Sequence, residues 1–348
     1  MVINMKKAIC LLLTCTMFFA FFTGCEKTAS NDKFYNENDP IQVVDGGGRH
    51  VSLATPAKTV ATSWGGGVDM YIYALGVADR LVATNSKHNV DKLFFDPSEM
   101  PKVGRWSLDK EALAQLSPDL YLHGSYATEQ IIGANKVGVP AYGMGFHSFE
   151  DISKNITDLG ILFGVEDRAT YVNQYCDSLL ALIKERVSTI PNENRPTVII
   201  LGEKTGELAA DIYDTIDTMI VTAGGVSLTP EELAGKTETT IVGLEKIFQW
   251  NPDYIFLQDY YCELTADGIM ADATWKATKA VSNAHVFEIP SELDAWSKGN
   301  PSCILGTLYI SMKLYPELYE DIDLGQLAIE FYHEVYGLDL TLEQIGIR

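Results

Sequence analysis

Basic residues are scarce in this chain. There are 26 Lys plus Arg against 47 Asp plus Glu, for a net charge of −21. That balance argues against nucleic-acid binding and against unaided adhesion to an anionic lipid surface. Cysteine is scarce too, six in all and no CxxC pair, so zinc ribbons and dithiol redox motifs are excluded. GxSxG, HExxH and the P-loop are missing, and acids are so plentiful that no catalytic pair stands out; an enzyme reading has no motif behind it. Long apolar runs are missing as well. The only candidate, Ala8–Phe22, is 15 residues, short for a membrane span.

What that run does have is a charged flank, Lys6-Lys7, and a small-residue end, Phe22-Thr23-Gly24-Cys25. This is the layout of a secretory signal. Its end resembles the bacterial lipoprotein cleavage signal, with Cys25 as the lipidated first residue of the mature chain. Residues 1–24 are then signal peptide, and Met1 and Met5 remain alternative starts. Residues 25–40 are polar and aperiodic and read as a tether. The chain is therefore expected on the outer face of a bacterial cell membrane, anchored through Cys25. The mature 324 residues carry 24 basic and 47 acidic side chains. That length exceeds what one hydrophobic core organises, which predicts two lobes.

The division falls around residues 166–189. Val172, Tyr175, Cys176, Leu179, Leu182, Ile183 and Val187 keep the three-four spacing of one buried helical stripe, and the helix they define is ~36 Å long. On either side the chain repeats itself. Glu111 opens an amphipathic stretch ending in Pro118-Asp119 and a strand; Glu245 does the same before Pro252-Asp253. Two such units flanking one long helix predict like-built lobes, residues 41–165 and 190–348, on a rigid strut. Strands alternate with helices in both halves: 60–62, 81–84, 120–123 and 141–144, then 197–201, 254–257 and 286–289, with helices expected at 108–116, 213–223, 274–280 and 304–314 among others. The fold class is α/β with two mostly parallel sheets. Residues 41–53 read as two short strands around an Asp-Gly turn, and Ser148 as a helix N-cap answered by Asp151.

Open parallel sheets bind ligands beyond the carboxyl ends of their strands. The residues placed there are Trp64 with Gly65 and Gly66, Arg105 and Trp106, Tyr126, Phe146 and His147 in the first lobe, and Tyr260 and Trp296 in the second. Three of the five Trp fall in these loops, which suits a large, partly apolar ligand. Glycine at 65 and 66 lets backbone approach a ligand closely; the run is neither GxGxxG nor GxxxxGK. His88, His123 and His147 could instead converge on a free transition-metal ion; hydrogen-bonded or solvated histidines are the plainer alternative. Cys176 lies on the helix stripe; pairing of Cys262 with Cys303 is left open.

The signal, the strut, the paired Glu–Pro-Asp units and the late segment Leu305-Gly306 through Leu314-Tyr315-Pro316-Glu317 together resemble the bilobed solute-binding proteins of ABC importers for ferric siderophores, haem and cobalamin. The resemblance covers about residues 41–320. It implies a non-enzymatic, monomeric carrier without a resident cofactor, whose cargo is a metal chelate held between the lobes. It implies as partners an ABC permease and, through it, an ATPase. It also implies that Glu111 and Glu245 dock onto basic residues of the permease. The chain departs from the family at Asp69-Met70, where many members have Thr-Glu. With only seven Arg after residue 24, and Arg105 the clear one in the cleft, a catecholate siderophore fits less well than a corrinoid, haem or hydroxamate chelate.

Overall fold

The computed structural model describes residues 35–63, 67–104, 107–203, 208–210, 215–228, 240–242, 244–262 and 264–347. Residues 32–348 form one compact unit, and its described residues hold two four-stranded parallel sheets and two small antiparallel pairs.

The chain enters as an antiparallel hairpin, β1 (Ile41–Val44) and β2 (His50–Leu53). Asp45 makes the turn. Its Oδ1 accepts from the N–H groups of Gly47 and Arg49, and its Oδ2 from Arg49 Nε at 2.8 Å and Gly143 N at 3.0 Å. Glycine is required at 46, because a Cβ there would stand 2.4 Å from Gly145 N. The end of the expected tether is not loose: Asn36 N donates to Ser52 Oγ at 2.9 Å, and Tyr35 leans on the His50 ring.

The first lobe follows as β3 (Val60–Thr62), α1 (Asp69–Ala74), β4 (Leu81–Ala83), α2 (Lys110–Leu116), β5 (Leu120–Gly124), α3 (Thr128–Lys136), β6 (Ala141–Met144) and α4 (Phe149–Phe163). Its sheet is fully parallel, in the order β4-β3-β5-β6. Ser148 caps α4 by accepting from Asp151 N at 3.1 Å, as its spacing predicts. The helix ends at Gly164, whose φ of +68° suits a residue without a Cβ.

The strut is α5 (Glu166–Val187). Its buried side is Ala169, Val172, Cys176, Leu179, Leu180, Ile183 and Val187, the stripe legible in the sequence. Arg168 ties it at both flanks: its Nε donates to Ala74 O at 2.8 Å, at the end of α1, and its Nη2 to Val335 O at 2.6 Å near the carboxyl terminus. A guanidinium on orphan helix carbonyls satisfies groups that the last helical turn leaves unpaired.

The second lobe runs β7 (Thr197–Glu203), β8 (Leu208–Ala210), α6 (Thr215–Thr222), β9 (Val226–Ser227), β10 (Thr240–Val242), α7 (Leu244–Trp250), β11 (Tyr254–Cys262), α8 (Ala266–Ala271), α9 (Lys279–Ser282), β12 (Val286–Ile289), α10 (Cys303–Leu314), α11 (Leu324–Tyr336) and α12 (Leu342–Ile345). The main sheet is again fully parallel, β12-β11-β7-β9, while β8 and β10 form a separate antiparallel pair. Val198, Ile199, Ile200 and Leu201 are all buried, as a parallel strand covered on both faces requires. The helix expected at 274–280 is absent. Asp272 Oδ1 takes the Thr274 N–H at 2.8 Å, turning the chain, and Trp275 buries against Phe248; the helix starts only after Thr278 caps α9.

Numbered within each lobe, both sheets have the strand order 2-1-3-4, and the Glu–Pro-Asp unit precedes the third strand each time. The reason for Pro-Asp is now visible. Ser117 and Asn251 turn the chain in the left-handed region, at φ 45° and 48°. The following Asp then reaches the start of the first strand: Asp119 Oδ2 accepts from Lys58 N and Thr59 N, and Asp253 Oδ2 from Thr197 N and Oγ1. The repeated dipeptide is a clamp between strands one and three.

Cys176 and Cys303 are buried free thiols, so Cys303 is not bridged to Cys262. Burial pushes Cys176 up to about 12 and holds Cys303 well above the usual thiol range, where the reactive thiolate is rare. Neither thiol should be labelled by an aromatic disulfide reagent in the native protein, and both should be labelled on unfolding, as mapped by peptide mass spectrometry. Rapid native labelling at either position would contradict this packing.

Candidate functional site

Helices in α/β units run antiparallel to their strands, so helix starts and strand ends share one edge of each sheet. At that edge of the first lobe lie Thr62 and Ser63 after β3, Thr84–His88 after β4, Ser125 and Tyr126 after β5, and Gly145–His147 after β6. The same argument places Glu111 and Glu245, in the first turns of α2 and α7, on the cleft-side edge of their lobes. Both are exposed.

The ligand residues expected from sequence fall into three groups. Trp64, Gly65, Gly66, Arg105 and Trp106 lie outside the described residues, as does Cys25. Tyr260 is on β11, with its side chain outside the described ones. Tyr126 and His147 are exposed at the edge. Tyr126 stands edge-on to His123, with ring centroids 5.7 Å apart.

Phe146 and Trp296 are elsewhere than an open cleft: each is 1% exposed. Phe146 packs against Gly299, where an added Cβ would come to 3.0 Å of it, and its carbonyl accepts from the Thr215 hydroxyl at the start of α6. Trp296 donates its indole N–H to Tyr332 Oη at 2.9 Å, and Tyr332 in turn donates to Asp294. Burial lifts Asp294 to about 6 despite these bonds.

These contacts reveal a strap, residues 290–302, that crosses from the second lobe to the first. Val90 N donates to Leu293 O at 3.0 Å, Asn89 Nδ2 to Glu292 O at 2.7 Å, and Tyr71 Oη to Gly299 O at 2.9 Å. Thr218 Oγ1 adds a bond to His147 O at 3.2 Å. Through the strap and α6 the lobes are joined there as well as through α5.

The three histidines do not converge. Among the described residues no three His, Cys, Asp or Glu side chains are grouped to hold a metal ion. The sheet order explains it: His88 follows β4 and His147 follows β6, the two edge strands, whose axes are three inter-strand spacings, roughly 14 Å, apart. His123 lies inside, between Tyr121 and Tyr126. The free-ion constellation is therefore not built here.

Two residues at the edge were not singled out as site residues. Asn85 Nδ2 donates to Ser63 O at 3.2 Å and Gly104 O at 2.7 Å, the residues just before Trp64 and Arg105. Asp69, at the start of α1 and 1% exposed, accepts from the hydroxyls of Thr62 and Thr84, both at 2.6 Å. The departure at Asp69-Met70 was the one sequence signal for it.

Comparison with known proteins agrees with this architecture. The chain is 24% identical over 252 residues to the molybdate-binding protein MolA of Haemophilus influenzae, covering 66% of this chain and 70% of that one. It is 24% identical over 322 residues to an ABC transporter substrate-binding lipoprotein, YvrC, of Bacillus subtilis, covering 89% and 97%. The crystal structure of Helicobacter pylori CeuE with Ni(II) bound superposes with a TM-score of 0.73 at 19% identity, covering 88% and 98%. The family described as periplasmic binding protein matches residues 62–293, two thirds of the sequence, and the chain belongs to that family.

Proposed function

We propose that this chain is the lipid-anchored, extracytoplasmic substrate-binding component of an ABC importer. It captures an iron siderophore, haem or corrinoid between the carboxyl ends of its two parallel sheets and presents it to a membrane permease. The observation that carries this reading is the matched pair of Glu helices: two exposed carboxylates on equivalent positions of two rigid lobes, at the cleft-side edge. Such a pair supplies a two-point electrostatic register for a partner with basic residues at the same spacing. The metal-bearing ligands in the names of MolA and CeuE support a metal-bearing cargo. The lipoprotein name of the Bacillus relative supports anchoring through Cys25.

In this reading the cargo is flanked by Trp64, Gly65, Gly66, Arg105 and Trp106 from the first lobe, with Tyr126 and His147 at the rim and Tyr260 opposite. The strap keeps Phe146 and Trp296 beneath it. Cells lacking this chain should lose uptake of one metal complex and regain it when the chain is restored. Uptake of every tested siderophore, haem and corrinoid at the wild-type rate without the chain would overturn the proposal.

A further inference from the structure

Two loops form the outer rim of the first-lobe edge, Ser125–Tyr126 after β5 and Gly145–His147 after β6. The turn of the β1–β2 hairpin, residues 45–49, lies against both. Gly46 N donates to Gly143 O at 2.7 Å, which ties the turn to the end of β6. Arg49 carries it on to β5. Its Nε donates to Asp45 Oδ2 at 2.8 Å, and its Nη2 donates to Ser125 O at 3.1 Å. Ser125 is held on both sides, since its own N–H donates to Met144 O at 2.7 Å.

The guanidinium sits in a slot shaped for it. A Cβ on Gly143 would overlap Arg49 Nη2 and come to 3.0 Å of the Ser125 Cα, and one on Gly47 would come to 2.5 Å of the same nitrogen. Glycine is required at both places because the fork lies against bare backbone. Asp45 is equally fixed. Its side chain is 0% exposed, and besides the guanidinium it accepts from Gly47 N, Arg49 N and Gly143 N. An exposed ion pair is ordinarily worth little, because two mobile side chains must be ordered to make it. Here the backbone fixes the acid and the slot fixes the base.

The carbonyl that Arg49 holds is the one preceding Tyr126. The Tyr126 ring folds back over Gly124, where an added Cβ would overlap it, and stands edge-on to His123. It is nonetheless 40% exposed. An aromatic ring that is anchored yet open to solvent can stack on a flat ligand at little ordering cost.

We propose that Arg49 is a positioning residue for the cargo cleft: with Asp45 it pins Ser125 O and so fixes the Tyr126 ring as a stacking surface for a flat face of the cargo. This rests on the reading that cargo binds beyond the carboxyl ends of the first-lobe strands. The role is to hold, not to neutralise, because the Asp45 carboxylate already matches the guanidinium charge. It takes two nitrogens, one on the carboxylate and one on the carbonyl. Lysine has one and can serve a single partner; glutamine loses the fork as well. In either variant Asp45 keeps its three backbone donors, so the fold should survive.

The test uses the full chain in two measurements. By NMR on protein protonated only at Tyr and His rings, wild type should show cross-relaxation between Tyr126 and His123. In R49Q and R49K that contact should be lost, while the one between Tyr121 and His123, with ring centroids 6.2 Å apart in the interior, should persist. Haemin, cobalamin, and ferric hydroxamate and catecholate chelates are then titrated into wild type, R49Q, Y126A and the double variant. A probe that binds wild type should bind R49Q about tenfold more weakly through lost pre-organisation. In the Y126A background R49Q should cost nothing further, the signature of one residue acting through another. A Tyr126–His123 contact that survives in R49Q, wild-type affinity in R49Q, or equal losses in both backgrounds would each overturn the proposal. Failure of all four probes on wild type would overturn the cleft reading and with it the stacking role, whereas the ring contact would still decide whether Arg49 holds Tyr126.

Discussion

Cells carrying E111A together with E245A should take up no cargo above the deletion background, while the purified double variant should bind that cargo as tightly as wild type. This is the largest effect expected from two surface substitutions here. Both carboxylates are exposed in the first turn of their helices, and neither is in a salt bridge among the described residues. Their removal should cost the fold no more than about 0.5 kcal/mol each, mostly from the helix dipole. At the permease, however, each would leave a basic residue unpaired, at about 2 kcal/mol or more, roughly thirtyfold per site. The single variants should therefore be impaired and the double variant silent. Normal uptake by the double variant would remove the docking assignment, whatever the cargo.

The second large effect is on stability. W296A should cost about 3–5 kcal/mol in denaturant unfolding, the range for emptying a fully buried aromatic position. Trp296 is 1% exposed, and its indole bond leads to Tyr332 and then Asp294, so the loss includes more than volume. Y332F separates the terms. It keeps the ring, removes the hydroxyl between Trp296 and Asp294, and should cost about 1–3 kcal/mol through unsatisfied buried groups. A W296A loss below 1 kcal/mol would mean that the strap is not packed as described.

That same residue shows where sequence reasoning stops. Trp296 was expected to face the cleft because it follows the last parallel strand. Its partner, Tyr332, lies 36 positions further on, and no local pattern points to it. The strap was hidden for a related reason. Polar loops ordinarily run over the surface, yet Asp294, Ser297, Lys298 and Asn300 are all buried, and the strap's bonds to Tyr71, Asn89 and Val90 come from the other lobe. Legible features were those with a period or a local chemistry: the α5 stripe, the solid apolar strands, the Ser148 cap. The Glu–Pro-Asp duplication was legible too, although its physical cause, the Asp clamp on Thr59 and Thr197, needed the fold. Histidines at or after the ends of three strands looked like a cluster only because sequence does not give strand order; β4 and β6 are at opposite edges. At Asp69 the sequence showed a departure from family habit without its meaning, which came from Thr62 and Thr84 closing on one carboxylate.

The central claim, a cleft that takes a metal complex, is tested most directly by tryptophan-fluorescence titration of residues 26–348, expressed without the lipid. The ligands are cobalamin, haemin, ferric hydroxamate and catecholate chelates, molybdate, Ni(II)–histidine and bare zinc or manganese, with absorbance controls. The account predicts saturable sub-micromolar quenching by one haem, corrinoid or ferric chelate and none by bare zinc or manganese. Quenching by bare metal alone, or by none of the complexes, would contradict it.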